Sequence, residues 1–352
     1  MVNQKLLDYI KQQTQPGSFS PQHKGLNKTL IAIVSIIGGI LIIGGGVFAY
    51  SNYFQSPEKI AQKMMVNLAE IKSLEYSGEI KTEINTDDLL GGSSSFLQPR
   101  QSTSDKKKSN FLINFTGLSD IQNPNTPKSQ FSFNIKTDAL TQKEFIFGLE
   151  VKTIDKIIYI KLSDVPNLGF FDLSAIKNQW IKIDNEVQKK QELALEQIEK
   201  LKTVVQQAKI FKITEKLASE KIEGVNTYHY KFIIDKEGVK NLFIEIGKIV
   251  QDKTLTEKEL ADLDEGLEGV ESPEGEIWIG KKDLLPYKIT LSSMIKETDK
   301  SKISGEVSFT LLLKNFNKPV QIDTPQQAKP LEEFLKELFR GVQGVLNHLK
   351  SD

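Results

Sequence analysis

The chain has 352 residues and no cysteine, and its 46 lysines and arginines match its 46 aspartates and glutamates. That balance removes the electrostatic case for a nucleic-acid partner. The missing cysteines exclude disulfides, thiol catalysis, thiolate metal sites and cysteine-linked lipid. The length suits one large domain or two smaller ones.

Residues 1–28 read as a short tail. Asp8 to Gln22 is rich in Gln, Ser and Pro and is expected to be disordered. Leu6, Leu7 and Ile10 make at most one amphipathic turn, too little to hold a domain. Residues 29–51 then read as a transmembrane helix. Its core, Leu30 to Ala49 (LIAIVSIIGGILIIGGGVFA), has Ser35 as its only non-apolar side chain. About twenty such residues span a bilayer core, whereas a buried core helix would normally keep a polar face. The run starts too late, is too long and lacks the cleavage site of a signal peptide. Lys5, Lys11, Lys24 and Lys28 precede it, and only Lys59 and Lys63 follow closely. The positive-inside rule places the N-terminus in the cytoplasm and the bulk of the chain outside. The expected location is therefore the cell membrane, with a single pass. No two of its glycines are four apart, so no GxxxG dimer face is present.

The extracytoplasmic domain is expected over 52–325. Ser56-Pro57-Glu58 is a helix start, followed by Ile60, Met64, Met65, Leu68 and Ile71 at helical spacing. From Leu74 to Ile84 the period changes to two, a half-buried strand with one wet face. Residues 88–108 contain Gly, Ser and the Lys106–Lys108 run, with little to bury, and read as a mobile, solvated insert. Alternating strands follow, the first carrying Phe111, Ile113 and Phe115. The second carries Phe131, Phe133 and Ile135, and the third Phe145, Phe147, Leu149 and Val151. Ile157 to Leu162 and Gln179 to Ile183 continue the series, with turn residues at Gly117, Asn123 to Pro127 and Asp155. Such spacing argues an antiparallel meander.

Asp184 and Asn185 can cap a long helix whose apolar stripe runs from Leu193 to Ala208. Strands Ile210 to Ala218 and Thr227 to Asp235 come next, the second with Tyr228, Tyr230, Phe232 and Ile234 on one face. Val239 to Val250 reads as a helix, and the acidic stretch Asp252 to Glu276 as an exposed loop with a helical turn. Gly275 to Leu291 (GEIWIGKKDLLPYKITL) is a hairpin whose second arm puts Leu285, Tyr287, Ile289 and Leu291 on one side. A last strand aligns Val307, Phe309, Leu311 and Leu313, and Asn315 to Pro325 leaves the sheet. Residues 326–352 close the chain with an amphipathic helix bearing Leu331, Phe334, Leu335, Leu338, Val342, Val345, Leu346 and Leu349. Its mixed polar face, Glu332, Glu333 and Glu337 beside Lys336, Arg340 and Lys350, favours docking on the domain over lying on a membrane.

The fold class that follows is α+β. It is a curved antiparallel sheet, a half-open β-barrel of about nine to eleven strands, with helices covering its concave face and one transmembrane helix in front. Four stretches sharpen it: Pro57 to Gly78, Gly224 to Asp235 (GVNTYHYKFIID), Gly275 to Ile289 with Trp278, Gly280 and Pro286, and Asn315 to Pro325. Together they resemble the lipoprotein-localisation-factor superfamily, which includes actinobacterial glycolipid-carrier lipoproteins. The resemblance covers most of 57–325. It implies a half-open barrel with a cavity for acyl chains or lipoproteins, although other members act as sensors. This chain departs from the family in lacking a lipobox cysteine, in its transmembrane anchor, in the 88–108 insert and in the C-terminal helix.

No catalytic, cofactor or metal set emerges. HExxH, GxSxG, P-loop and GxGxxG motifs are missing. Asp262 to Gly266 departs from a calcium loop in spacing and reads as surface acid. Of His23, His229 and His348, only His229 falls in the folded region, on a strand face expected to be wet. The unusual resource is the apolar strand face: Phe111, Ile113, Phe115, Phe131, Phe133, Phe145, Phe147, Leu149, Tyr228, Tyr230, Phe232, Tyr287, Ile289 and Leu291 are the candidate ligand-binding lining. The expected function is non-catalytic binding of lipid or lipidated protein, as carrier or sensor. The expected partners are the membrane and a lipid or acylated protein. The alternative is a structural or protein-interaction module of the cell envelope with a solid core.

Overall fold

The computed structural model describes residues 56–85, 108–123, 126–138, 145–165, 176–183, 195–251, 254–298 and 304–334. The expected tail and transmembrane helix, most of the insert at 88–108, the Asp184–Asn185 cap and all but the start of the C-terminal helix lie outside them. Among the described residues no helix is long and apolar enough to cross a membrane.

Helix α1 (Pro57–Leu68) starts as its sequence requires. Ser56 accepts the Lys59 amide at 3.4 Å, Pro57 fills the first turn and Glu58 sits at the positive end. The chain turns at Ala69 into a meander of six strands: β1 (Ser73–Asn85), β2 (Lys108–Asp120), β3 (Lys128–Thr137), β4 (Phe145–Ile154), β5 (Ile157–Asp164) and β6 (Trp180–Ile183). Asp155 and Lys156, both at positive φ, join β4 to β5 in the tight two-residue turn that suits strand twist. Helix α2 (Leu195–Gln207) precedes β7 (Phe211–Leu217), β8 (Lys221–Ile222) and β9 (Val225–Ile234). Asp235 caps α3 (Lys236–Gln251) by accepting the Gly238 amide at 3.3 Å. Helix α4 (Glu257–Glu268), β10 (Val270–Gly280), β11 (Pro286–Ile295), β12 (Gly305–Lys314) and β13 (Lys329–Pro330) complete the order.

The sheet is a single curved, unclosed, mixed sheet in the order β13-β6-β5-β4-β3-β2-β1-β12-β11-β10-β9-β7, with β8 paired to β9. It has thirteen strands, not nine to eleven, and β13 runs parallel to β6. The additional members β8 and β13 are two residues long, too short for any alternation to show. The expected loop at 252–276 is also corrected, since it holds α4 and the start of β10. Thr256 and Glu259 form a reciprocal capping box, and Leu263 and Leu267 turn one face of the helix onto the core. The Asp262–Gly266 stretch is helical for the same reason.

Alternation gives the sheet two unlike faces. The face on which the helices sit, the inner face, carries Leu74, Tyr76, Ile80 and Ile84 of β1, and Val307, Phe309, Leu311 and Leu313 of β12. Helix residues Ile60, Met64, Met65, Val205, Val239 and Leu267 pack on it. Helices α2 and α3 run antiparallel, and the Gln197 amide closes their ends by donating to the Ile249 carbonyl at 2.7 Å. The outer face of β4–β6 has a different cover. After β12 the chain crosses beneath it, burying Ile322 with Ile154 and Tyr159 beside Leu118, Val320 and Trp180. Asn317 accepts the Lys72 amide at 2.7 Å and Ser73 Oγ donates to the Lys318 carbonyl at 2.6 Å, tying this exit to the start of β1. The segment then reaches the far edge of the sheet as β13.

Candidate functional site

The inner face of β2–β6 is built entirely from apolar or small uncharged residues. Register aligns Phe111, Ile113 and Phe115 of β2 with Thr137, Ile135 and Phe133 of β3. These continue into Phe145, Phe147 and Leu149 of β4; Leu149 and Val151 in turn align with Leu162 and Ile160 of β5, and Ile160 with Ile181 of β6. No charged side chain interrupts this face between Phe111 and Ile181.

A line of rings runs across it. Phe309 stacks on Phe115 at 6.1 Å between centroids, Phe115 meets Phe131 at 6.3 Å, Phe131 meets Phe133 at 5.8 Å, and Phe133 meets Phe147 at 6.1 Å. Such offset and tilted pairs are the favourable geometry for aromatic contact. The first step crosses β1 because Gly78 lies between β2 and β12. A Cβ there would overlap the Phe115 ring and the Thr310 carbonyl, so only glycine lets the ring lie flat over the strand.

The two halves of this face are covered differently. On β9–β12 the helices bury it: Tyr230, Ile279 and Leu311 are all 0% exposed. On β2–β5, Phe115 is buried, but Phe111, Ile113, Phe131, Phe133, Ile135, Phe145, Phe147, Leu149, Val151, Ile158 and Ile160 are only half-buried. This is an apolar, aromatic-rich floor with an incomplete roof. Apolar pockets bind by area, with few polar groups to set orientation.

Thirteen of the fourteen residues singled out from the sequence lie on this one face. Eight of them form the floor, and Tyr228, Tyr230, Phe232, Ile289 and Leu291 lie in the helix-covered half. Tyr287 goes elsewhere. Strand β11 bulges here: Trp278 and Ile279 of β10 pair with Lys288 and Pro286, which leaves Tyr287 as the extra, unpaired residue. Tyr287 packs edge-on against Phe316 at 5.3 Å with Ile71 and Leu285, closing one end of the sheet. Its hydroxyl donates to Asp283 at 2.6 Å, and burial with that carboxylate pushes its pKa well up. Floor residues missing from the candidate lining are Ile135, Val151, Ile158, Ile160, Leu162 and Ile181. They belong to strands recognised in the sequence, but only cross-strand register joins them into one floor.

Among the described residues of the sheet's inner face, Tyr230 has the one fully buried side-chain polar atom without a hydrogen-bond partner. Its hydroxyl is fully buried and unbonded, and burial pushes its pKa up to about 12. It stacks at 6.1 Å on Tyr228.

His229 occupies the opposite face of β9. The wet face expected for it is corrected: the ring is 6% exposed. Trp278 from β10 stacks on it at 4.2 Å, Glu276 meets Nε2 at 2.8 Å, and Glu220 lies 3.6 Å from Nδ1. Trp278 Nε1 donates to Glu220 at 3.1 Å, and Lys288 stands 4.3 Å over the indole. Alternation fixes which side a residue faces but not how large its cross-strand neighbour is, and the indole roofs the imidazole. The cluster clasps β9, β10 and the chain before β8, and it does not open on the floor. An open groove of about 990 Å³ crosses the ends of β1–β3 and β10–β12 and borders the floor at Phe111. Its walls mix the charged Lys81, Glu83, Lys136, Glu274 and Glu306 with apolar Phe111, Met294 and Val307, and Phe111 is also part of the floor.

No family model and no curated protein sequence matches the chain. Several solved structures are similar to it, LppX and LprF among them. The Mycobacterium tuberculosis lipoprotein LppX has 12% identity and a TM-score of 0.30, with 76% of this chain and 100% of that one covered. LprF from Mycobacterium bovis has 16% identity and a TM-score of 0.33, with 78% and 98% covered. The likeness extends along most of the chain at low identity. It is a loose likeness of chain path, and the functional reading rests on this chain's own inner face.

Proposed function

We propose that the protein binds an acyl chain, of a lipid or of a lipidated protein, on the inner face of β2–β5, without catalysis. The observation that carries this is the unequal cover of one continuous apolar face: a packed core over β9–β12 and a half-buried, charge-free aromatic floor over β2–β5. An acyl chain laid there gains about 0.8 kcal/mol per buried CH₂, so affinity needs no dedicated polar contact. This explains why no binding motif is legible.

We further propose that residues 29–51 anchor the domain in the cell membrane by a single pass, with the N-terminus in the cytoplasm. The support is the apolar run Leu30 to Ala49 and the lysines before it. An anchored binder cannot diffuse between membranes, which favours local hand-off or sensing over long-range carriage.

The test uses the full chain in lipid nanodiscs with a photoactivatable long-chain fatty acid. Label is expected on peptides of β2–β4. It is expected to be lost in Phe133→Asp and Phe147→Asp, with an unchanged far-ultraviolet circular dichroism spectrum. Label confined to residues 29–51, or indifferent to both substitutions, would overturn the reading and leave a protein-interaction module of the envelope.

A further inference from the structure

One ring on the inner face carries a group that its place in the fold does not require. Tyr76 of β1 stands directly opposite Gly117 of β2. A Cβ at Gly117 would overlap Cζ and the hydroxyl of Tyr76, so the phenol lies across β2 with its oxygen over the glycine. The ring stacks on Phe131 at 6.5 Å between centroids. The same arrangement occurs in the next cross-strand row, where Phe115 lies over Gly78. There a phenylalanine suffices. Covering a strand glycine needs the ring and not the hydroxyl.

Among the described residues nothing donates to the Tyr76 hydroxyl or accepts from it. Tyr76 is half-buried, and desolvation pushes its pKa up, so it stays a neutral O–H donor at neutral pH. Register shows what surrounds it. Tyr76 and Gly117 align with Phe131, Val151 and Ile160, an apolar row leading over β3–β5. On one side lies the apolar row of Phe115, Phe133 and Leu149. On the other side Ser119, Ser129 and Thr153 align, all half-buried, and none of their hydroxyls bonds a described residue. Tyr76 therefore stands where the apolar rows meet a short margin of hydroxyls. No ionised side chain shares this face of the sheet with them. The margin suits an uncharged oxygen and would leave a phosphate or an amine without a counter-charge.

We infer that Tyr76 is the orienting residue of the floor: its hydroxyl donates to the carbonyl oxygen of an uncharged acyl ester or amide, whose polar end lies beside Ser119 and Ser129 while its chain runs over β3–β5. This rests on the proposed acyl-binding function and adds a direction and a ligand chemistry to it. Burial of the chain supplies most of the affinity. The hydrogen bond fixes which end lies where, because a carbonyl buried among Phe133, Phe147 and Leu149 would find no donor side chain.

The test uses the full chain in lipid nanodiscs with two methyl esters of one long-chain fatty acid. One carries a diazirine beside the ester, the other at the chain end. The first is expected to label peptides of β1 and β2, and the second peptides of β4 and β5. Tyr76→Phe keeps the ring over Gly117. It is expected to lower this end-to-end preference by about three- to tenfold, with total label on the floor and the far-ultraviolet circular dichroism spectrum unchanged. No preference in the parent, or one that Tyr76→Phe leaves intact, would overturn the assignment while label on the floor upheld the acyl-binding reading. Loss of the fold in Tyr76→Phe would show that the hydroxyl is structural and overturn the assignment too. No label on the floor from either ester would overturn both.

Discussion

The two halves of the inner face share a sheet, an alternation and a residue vocabulary, yet they serve different ends. On β9–β12, Leu311, Ile279 and Tyr230 meet Met64, Val205 and Val239 from the helices and lose all contact with water. On β2–β5, Phe133, Phe147 and Leu149 are as apolar as their counterparts but stay half in water. What separates them is supply: α1 to α4 flank β7–β10 or precede β1 in the chain, and they pack where their short connections let them. The meander β2–β6 has no described helix inserted between its strands. The lesson is that residue type alone does not distinguish a core from a binding surface, whereas the placement of the covering elements does.

The sharpest way to break this comparison is truncation on each side. Leu311→Ala, in the covered half, is expected to cost about 2–5 kcal/mol in urea unfolding, because a fully enclosed cavity cannot collapse. Phe147→Ala is expected to cost about 1 kcal/mol, since part of its ring is already hydrated, while removing fatty-acid labelling. Equal stability losses would mean that the floor is a core after all. Gly78→Ala tests the bridge between the halves. The added methyl meets the Phe115 ring and a backbone carbonyl, and about 1–3 kcal/mol of destabilisation is expected in the same assay.

Thr256→Ala probes the cover itself. Loss of the capping box should cost about 1 kcal/mol and raise hydrogen exchange in α4, leaving β2–β5 unchanged. The smallest effect at neutral pH is expected from Tyr230→Phe. Removing an unbonded buried hydroxyl leaves stability unchanged or slightly higher. At high pH it matters more. The folded state holds the Tyr230 proton up to about pH 12, above the unfolded value near 10. The folded state therefore binds more protons across that window, and stability falls as pH rises through it. Tyr230→Phe should lessen that fall in alkaline unfolding curves, and an unchanged midpoint would show that other tyrosines carry it.

Much of this was legible before any coordinates. The Ser56-Pro57 start, the period-two runs of β1 to β4, the Gly275–Leu291 hairpin and the face shared by Phe131 and Phe133 follow from caps and alternation, which act within a few residues. The misses were of another kind. Helix α4 was missed although Leu260, Leu263 and Leu267 stand at helical spacing, because the acidic residues around them read as a loop. His229 was misjudged because its roof, Trp278, lies 49 positions away. Tyr287 left the wall because it is itself the extra residue of a bulge in β11.

Composition and periodicity alone determined that this chain carries one long apolar run, that a large sheet with one apolar face follows it, and that an amphipathic segment ends it. These properties depend on near neighbours and on hydropathy, which a linear string records in full. Only the tertiary structure decided that the apolar strands join in one register, that helices roof half of them, and that the returning tail rounds the sheet edge to meet Ile181. Those outcomes depend on contacts between residues far apart in the chain, whose energies exist only once the sheet has closed the distance between them.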